Sequence, residues 1–416
     1  MAIVKDCIIG ASYNKEDSSS IAQAKVVEKA EEDIKKGSKC VSHNIYRCDI
    51  HYDGYVIDNL KFVYPILGIP SFVYSLRNVL GSEAENTVVV GSTEIERIFG
   101  MSRDFYADLT EGKNLEFVHE GHSLSLVNTI TKGNKLLKEL TKQEGRTACF
   151  YPGDVPFCAD LKPILDDPDA LHHDLVMDFN SRERIFEPDR IMRNGDPEFF
   201  IRNWYNKLKE TDGRTYNIKE ANIYLIKPEN LDEKLLNFIY GTRKGGKLTR
   251  LGIFLFALAN RISHPGLLIK ALYNLARSGT IVDIKAAESV GELLTLGKVR
   301  VKARHTDVNR LADIDSLEDW RYYEEISTYA VEKKGGLSYI YPHAADIEAF
   351  RKEYSKELQK TIPMLRDFKS FINSEFRKYD LPEPYVNGRL VHQLPESRLE
   401  AAVEHMHRKL VSSSQA

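Results

Sequence analysis

An aspartate near the middle of the chain occupies a position suited to metal binding. Asp154 lies in the segment PGDVP at 152–156, directly after an apolar run that ends at Phe150. Gly153 and Pro156 enclose it, so the sequence predicts a carboxylate on a stiff turn at the end of a strand. Magnesium commonly takes one or two protein carboxylates, keeps several waters and fills its other positions with substrate phosphates. Asp154 is therefore a candidate Mg²⁺ ligand.

A second acidic segment, ADIDSLED at 312–319, supplies candidates for the other ligand. Asp313 and Asp315 are the two carboxylates that could join Asp154. Each segment also has a purely structural interpretation, because GDVP is a typical tight turn and acidic residues are favourable where a helix begins. Both segments in this order, separated by an α/β pattern, favour one shared site.

The elements that must position these carboxylates follow an α/β rhythm. Short apolar runs recur, each followed by Gly, Asp, Asn or Ser and then by a helical pattern. In such sheets the functional groups usually lie just beyond the carboxyl ends of the strands. The sequence therefore predicts a Rossmann-like mixed sheet flanked by helices. The predicted strands are Cys7–Gly10, Val88–Gly91, Ala148–Asp154, Leu175–Asn180 and Asn222–Pro228.

Helical patterns surround and interrupt this sheet. Ser71–Leu80 is predicted to be a helix with one buried face, formed by Phe72, Leu76 and Val79. A helical insertion is expected at about 231–297, before alternation returns at 299–303. We expect an α/β domain at 1–330 and a C-terminal helical extension at 331–416, which could serve dimerisation, acceptor recognition or packing.

The amino-acid composition of the chain limits which binding partners and which cellular compartment are expected. The 58 Lys and Arg nearly balance the 61 Asp and Glu, giving a formal charge of −3, so the net charge indicates neither nucleic acid nor an anionic membrane as a partner. The five cysteines are scattered without a CxxC pair, so a reducing compartment is expected. The apolar run 251–259 is too short to span a membrane. The expected location is the cytoplasm.

Three segments of the chain resemble motifs of the GT-A-like nucleotidyltransferases, the superfamily of sugar-phosphate nucleotidyltransferases and MobA-like enzymes. LKFVYPILGIP at 60–70 is similar to the family's PK, short apolar run and GKP. YPGDVPF at 151–157 is similar to its strand-end GDxP, and ADIDSLED at 312–319 to its closing DxDTPEDL. The resemblance implies a GT-A-like fold spanning these segments.

The resemblance also implies roles for individual residues. Asp154 and Asp315 would hold Mg²⁺ with Asp313 beside them, and Lys61 would contact the triphosphate. Asn222 would help to hold the acceptor. Without the resemblance, Lys61 reads as an exposed lysine before a buried strand. Residues in the positions where relatives bind the nucleotide are Gly10, Ser12, Ser123 and Asn128.

One motif of the family is missing from the chain. Relatives follow the first strand with a glycine-rich loop, roughly GxGxR, that surrounds the nucleotide phosphates, and the chain has no such sequence there. Residues 10–20 could form a different phosphate loop, residues 52–55 could take over, or catalysis could be lost. A further cluster, GTRKGGKLTR at 241–250, has the composition of an anion contact or of a mobile loop.

The resulting expectation is an enzyme that joins a nucleoside triphosphate to a phosphorylated small-molecule acceptor and releases pyrophosphate. A GT-A glycosyltransferase is the first alternative, because Asp313 and Asp315 form a DxD. A non-catalytic protein that binds nucleotides or sugar phosphates is the second, because the glycine-rich loop is missing. Whether the chain forms a homo-oligomer stays open.

Overall fold

The computed structural model describes the greater part of the chain, in blocks separated by gaps. The described residues are 2–11, 51–52, 55–56, 60–121, 126–158, 161–181, 206–209, 215–230, 265–278, 282–295, 297–305, 313–314, 317–378 and 382–414.

The strands in these blocks are short, except for β11, which pairs with β8, β9 and β10. They are β1 (Asp6–Ala11), β2 (His51–Tyr52), β3 (Tyr55–Val56), β4 (Pro65–Ile66), β5 (Ile69–Pro70), β6 (Asn86–Gly91), β7 (Asn114–His119), β8 (Ala148–Pro152), β9 (Leu175–Ser181), β10 (Asn206–Lys209), β11 (Thr215–Ile226), β12 (Val282–Asp283), β13 (Val301–His305), β14 (Tyr385–Val386) and β15 (Arg389–Leu390).

Helices alternate with the strands in the first half of the chain and dominate after β13. They are α1 (Leu60–Val63), α2 (Ser71–Leu80), α3 (Thr93–Phe105), α4 (Ala107–Thr110), α5 (Leu126–Thr141), α6 (Lys162–Leu165), α7 (Asp169–His172), α8 (Pro265–Ser278), α9 (Ile284–Leu294), α10 (Leu317–Lys333), α11 (Ala344–Thr361), α12 (Pro363–Arg366), α13 (Phe368–Lys378) and α14 (Glu396–Ser414).

A mixed sheet forms the centre of the described chain. β1 pairs in parallel with β6 and with β8, and β6 pairs in parallel with β7. β11 runs antiparallel to β8 and β9, and β9 is parallel to β13. The order is thus β7-β6-β1-β8-β11-β9-β13, while β10 and β12 continue from the first half of β11. The fold is the Rossmann-like α/β class that the sequence predicts.

The two faces of the sheet carry different cores because strand residues alternate between faces. On one face, Ile8 and Val88 pack with Ile130 and Leu137 of α5. On the other, Ile9 and neighbouring residues join a larger cluster that includes α2, α3 and the C-terminal helices. The central strands are therefore apolar on both sides, as expected for parallel strands covered by helices.

The helix α2 is buried on every side. All ten of its residues are buried, so the prediction of one buried face is wrong. The cause lies beyond residue 330: Arg77 forms an ion pair with Asp346 of α11 at 2.5 Å, and the Tyr341 hydroxyl donates to Asn78 Oδ1 at 2.9 Å. The C-terminal helices thus cover the face of α2 that the sheet does not.

The boundaries of the predicted domains stay predictions. The described part of the expected insertion comprises α8, β12 and α9, and β12 adds a short strand to the sheet beside β10. The helix α10 runs continuously through residue 330. Among the described helices, none combines the length and the apolar character needed to cross a membrane.

Candidate functional site

The turn after β8 carries Asp154 at the carboxyl edge of the sheet. The Gly153 N–H donates to Gly10 O at 2.7 Å, which fixes the turn to the end of β1. A Cβ on Gly153 would lie 3.1 Å from Phe72 and 3.2 Å from Ala11, so the close approach favours glycine. Asp154 itself is 2% exposed. A buried carboxylate requires compensation, and its partner comes from another segment.

That partner is Lys61, the residue that the resemblance assigns to the triphosphate. Lys61 lies in the short helix α1, just before β4. Lys61 Nζ forms an ion pair with Asp154 Oδ2, and the two side chains are 18% and 3% exposed. Its interpretation as an exposed surface lysine is therefore wrong. Two residues predicted for one site from distant sequence segments are in direct contact.

The hairpin formed by β4 and β5, which follows Lys61, is held by the first turns of α10. The Ser71 hydroxyl donates to Lys61 O at 2.9 Å. Trp320 Nε1 donates to Pro65 O at 2.7 Å, and the N–H of Leu67 donates to Glu324 Oε2 at 2.7 Å. Leu67 has a φ of 50°, which is unfavourable for a residue with a Cβ, and the bond to Glu324 helps to hold it there.

Glu324 is also the most clearly perturbed carboxyl near the site. It is buried between the hairpin and Tyr385, whose hydroxyl donates to Glu324 Oε1 at 3.2 Å. Burial raises the pKa of Glu324 to about 7, against the opposing effect of the hydrogen bonds from Leu67 and Tyr385. Glu324 is not recognisable as a site residue from the sequence, because no local pattern indicates that α10 packs on the hairpin β4–β5.

The acidic segment reaches the site through its backbone. The N–H of Ile314 donates to Asp154 O at 3.0 Å, and Ile314 is fully buried. Asp313, which precedes it, is half-buried. PGDVP and ADIDSLED are therefore adjacent, as the shared-site hypothesis requires. Asp315 lies outside the described residues.

The predicted nucleotide-binding residues are only partly described. Gly10 lies close to the turn that carries Asp154. A Cβ on Gly10 would lie 2.8 Å from Phe150, so packing explains why this residue is a glycine. Asn128 lies in the first turn of α5 and donates to Glu120 O, just beyond β7, at 3.2 Å. Ser12 and Ser123 lie outside the described residues.

Asn222, the predicted acceptor residue, lies on β11 and is half-buried. Tyr224 pairs with Phe150 of the antiparallel strand β8, so Asn222 lies two residues nearer the carboxyl end of β8. The pairing of β11 with β9 is irregular between Glu220 and Tyr224. Asn222 thus lies on an irregular part of β11, toward the edge of the sheet that carries Asp154.

A second charged cluster, unforeseen in the sequence, anchors the strand that leads to the acidic segment. Arg304 of β13 donates to Asp178 Oδ1 at 2.6 Å, and also pairs with Asp167 and Asp169. Burial lowers the pKa of Arg304, but the hydrogen bonds to Asp178 and Asp167 outweigh it and raise that pKa above its ordinary value. These partners are more than 120 residues from Arg304 in sequence, so no local pattern indicates the cluster.

Within the described blocks there is no cluster of three or more His, Cys, Asp or Glu side chains placed to hold a metal. His405 and His407 form an HxH sequence, and the ring of His407 stacks on Tyr339 with ring centres 3.9 Å apart. The described cysteines, Cys7, Cys149 and Cys158, are buried and form no disulfide bond.

Comparisons with known proteins add little to this geometry. No protein-family model matches the chain, and no curated protein matches it. A solved hypothetical transferase from Thermus thermophilus is 16% identical with a TM-score of 0.33, and the match covers 64% of this chain and 91% of that one.

Two further solved structures are comparably distant. The 4-diphosphocytidyl-2C-methyl-D-erythritol synthase of Anaerococcus prevotii is 13% identical with a TM-score of 0.33, covering 63% of this chain and 91% of its own. HddC from Yersinia pseudotuberculosis, complexed with GMP-PN, is 13% identical with a TM-score of 0.36, covering 68% and 95%.

Proposed function

We propose that the chain is a Mg²⁺-dependent nucleotidyltransferase, which joins a nucleoside triphosphate to a phosphorylated small-molecule acceptor and releases pyrophosphate. One observation carries the proposal. The Lys61–Asp154 ion pair lies at the carboxyl edge of the sheet, and the acidic segment is bonded to the backbone of Asp154. A cation-binding carboxylate and a phosphate-binding lysine are the two groups that phosphoryl chemistry needs most.

The oxygen donors near Asp154 fit a magnesium ion. Asp154 and Asp313 are carboxylates on segments that the Ile314–Asp154 hydrogen bond holds together, and Mg²⁺ prefers hard oxygen ligands. A carboxylate offers about four lone-pair sites, so Asp154 can contact Lys61 and a cation together. We include Asp315 in the ligand set on the resemblance alone. A bound Mg²⁺ would neutralise charge on the phosphates and orient them.

Lys61 would serve as the phosphate-binding cation of the protein. Its ammonium is mostly buried and is held at the site by Asp154, while Ser71 and Trp320 fix the backbone around it. An ammonium in a partly dehydrated position interacts strongly with the charge that builds up on a leaving pyrophosphate. Because it is positioned before the nucleotide arrives, little reorganisation is needed.

The reaction then proceeds as an in-line displacement at the α-phosphorus. An ionised phosphate oxygen of the acceptor forms a new bond to that phosphorus, and the bond from the phosphorus to the bridging oxygen breaks. The pyrophosphate leaves with the bridging oxygen and its electron pair. An ionised nucleophile requires no general base, and Asn222 would help to hold the acceptor that carries it.

The direct test is pyrophosphate release. The purified chain is incubated with Mg²⁺, each of the four common NTPs and a panel of phosphorylated sugars, alditols and lipids. Pyrophosphate from at least one combination is expected. Intact NTP binding without pyrophosphate from any combination would make the chain a binding protein, and turnover of nucleotide sugars instead would indicate a glycosyltransferase.

A control aspartate as buried as Asp154 separates site chemistry from folding. Asp154→Ala and Asp315→Ala should each abolish turnover. The matched control is Asp6→Ala, which removes a carboxylate that is also 2% exposed and ion-paired, with Arg146, at the opposite end of β1. Loss of stability without loss of turnover is expected for the control, whereas a fully active Asp154→Ala variant would refute the metal assignment.

A further inference from the structure

The helix α8 presents an apolar face to solvent. Ile269, Leu272 and Tyr273 are 66%, 44% and 67% exposed, and their spacing places them on one side of the helix. The opposite side is packed, because Ala271 is fully buried and Asn274 Nδ2 donates to Ser289 Oγ of α9 at 2.6 Å. Elsewhere in the described chain, exposed large apolar side chains do not gather on one helix face.

The stretch of sequence that contains α8 has an unusual charge composition. From 234 to 282 the chain contains no Asp and no Glu, although 61 of its 416 residues are acidic. The same stretch contains eight basic residues among many apolar ones. They are Lys234, Arg243, Lys244, Lys247, Arg250, Arg261, Lys270 and Arg277.

We infer that the exposed face of α8 docks on an anionic membrane surface. An interfacial helix buries Leu, Ile and aromatic side chains at the headgroup boundary, and neighbouring cations interact with anionic lipids. Tyrosine suits that boundary because its ring is apolar and its hydroxyl can stay hydrated. The inference is independent of the catalytic proposal.

The charges on the described elements packed against α8 agree with this orientation. Lys270 is 53% exposed and pairs with Glu292 of α9 at 2.5 Å. Glu288, the other acidic residue of α9, interacts with Lys302 and with the N–H of Ala303 on β13. Lys298 is exposed, in the turn that follows α9. The acidic groups of α9 are therefore paired with cations or directed at β13.

A second copy of the chain fits this face less well. A stable dimer buries roughly 800 Å² on each partner, which three side chains of this size do not supply. An anionic membrane surface explains both the apolar side chains of this face and the lack of acidic residues in the sequence from 234 to 282.

Vesicle flotation with the full chain tests the inference. The chain is mixed with vesicles of neutral phosphatidylcholine, or with vesicles that also contain phosphatidylglycerol, at low and at high salt. Binding is expected only to the anionic vesicles and should weaken as salt screens the charges. Absence of binding to the anionic vesicles would overturn the inference.

Substitutions at exposed positions leave the fold intact and locate the contact. The triple variant Ile269→Ser, Leu272→Ser, Tyr273→Ser should lose at least about tenfold in vesicle affinity. Burying even one large apolar side chain changes affinity by about tenfold or more. The matched control is Leu171→Ser with Val386→Ser, which removes apolar side chains that are 59% and 53% exposed elsewhere. Equal binding by the triple variant and the control would overturn the inference.

Two additional readouts separate the membrane from other occupants. Fluorescence of a Tyr273→Trp variant should be quenched by brominated acyl chains, beyond any quenching seen in the native chain. Self-association that the triple variant abolishes, with no vesicle binding by the native chain, would assign the face to a second copy and overturn the membrane inference.

Discussion

Replacing Lys61 with methionine should destabilise the chain far more than replacing an ordinary lysine. Methionine keeps the apolar stem of the side chain but removes the ammonium that compensates Asp154. The Asp154 side chain is 3% exposed, so little water can take the place of the lysine. The variant therefore removes the ammonium from a buried ion pair, and loss of one partner of such a pair is strongly destabilising.

The size of the effect follows from burial. Removing one partner of a buried ion pair costs about 3–5 kcal/mol, and the 18% exposure of Lys61 places this pair near the lower limit, at about 3 kcal/mol. Asp154→Asn alone should cost about 1–2 kcal/mol, because the remaining lysine can reach water. In the double variant neither charge is left alone, so we expect a coupling of about 2 kcal/mol.

Urea unfolding of the four proteins, followed by tryptophan fluorescence, to which the buried Trp320 contributes, measures this coupling. The matched control is Arg146→Met, which breaks the Arg146–Asp6 pair, with side chains that are 25% and 2% exposed. It should cost a similar free energy and leave NTP binding unchanged. Costs that add to within about 0.5 kcal/mol for Lys61 and Asp154 would refute the reasoning, because the two side chains would then not be energetically coupled.

Two further predictions concern the packing around the site. Glu324→Gln should remove a pH dependence: with a folded pKa of about 7 against 4.5 unfolded, Glu324 contributes stability at low pH that is lost as the pH rises through 7. The difference in unfolding free energy between native and variant should change by roughly 3 kcal/mol between pH 4 and pH 8, and parallel profiles would contradict it. Gly10→Ala should cost about 1–3 kcal/mol in urea unfolding, because its Cβ would lie 2.8 Å from Phe150. Adding Phe150→Leu to Gly10→Ala should recover part of that loss. A double variant that is no more stable than Gly10→Ala alone would contradict the clash between the new Cβ and the ring of Phe150.

The ends of β1, β6, β8 and β9 are well predicted because local signals mark them, whereas the strand predicted at Asn222–Pro228 is β11, which spans Thr215–Ile226. An apolar run followed by Gly and Asp predicts a strand with a carboxylate beyond it, and Asp154 lies there in the structure. The bounds of α2 also match, because its apolar spacing and the flanking Pro70 and Gly81 are local features. These predictions required no knowledge of distant contacts.

Other features depend on contacts between distant segments, and the sequence could not indicate them. The burial of α2 on every side depends on Tyr341, which lies just before α11, and on Asp346 of α11. The perturbed carboxyl of Glu324 depends on the packing of α10 against the hairpin. Gly10 was predicted for phosphate binding, yet its lack of a side chain is explained by the ring of Phe150.

The most direct test of the proposed site is calorimetric titration of the native chain with each NTP, with and without Mg²⁺. At least one NTP should bind more tightly when Mg²⁺ is present, and Asp154→Asn should remove that difference while the Asp6→Asn control retains it. An Asp154→Asn variant that keeps the full Mg²⁺ dependence, or a native chain without any, would contradict the proposal that Asp154 holds the cation beside the triphosphate.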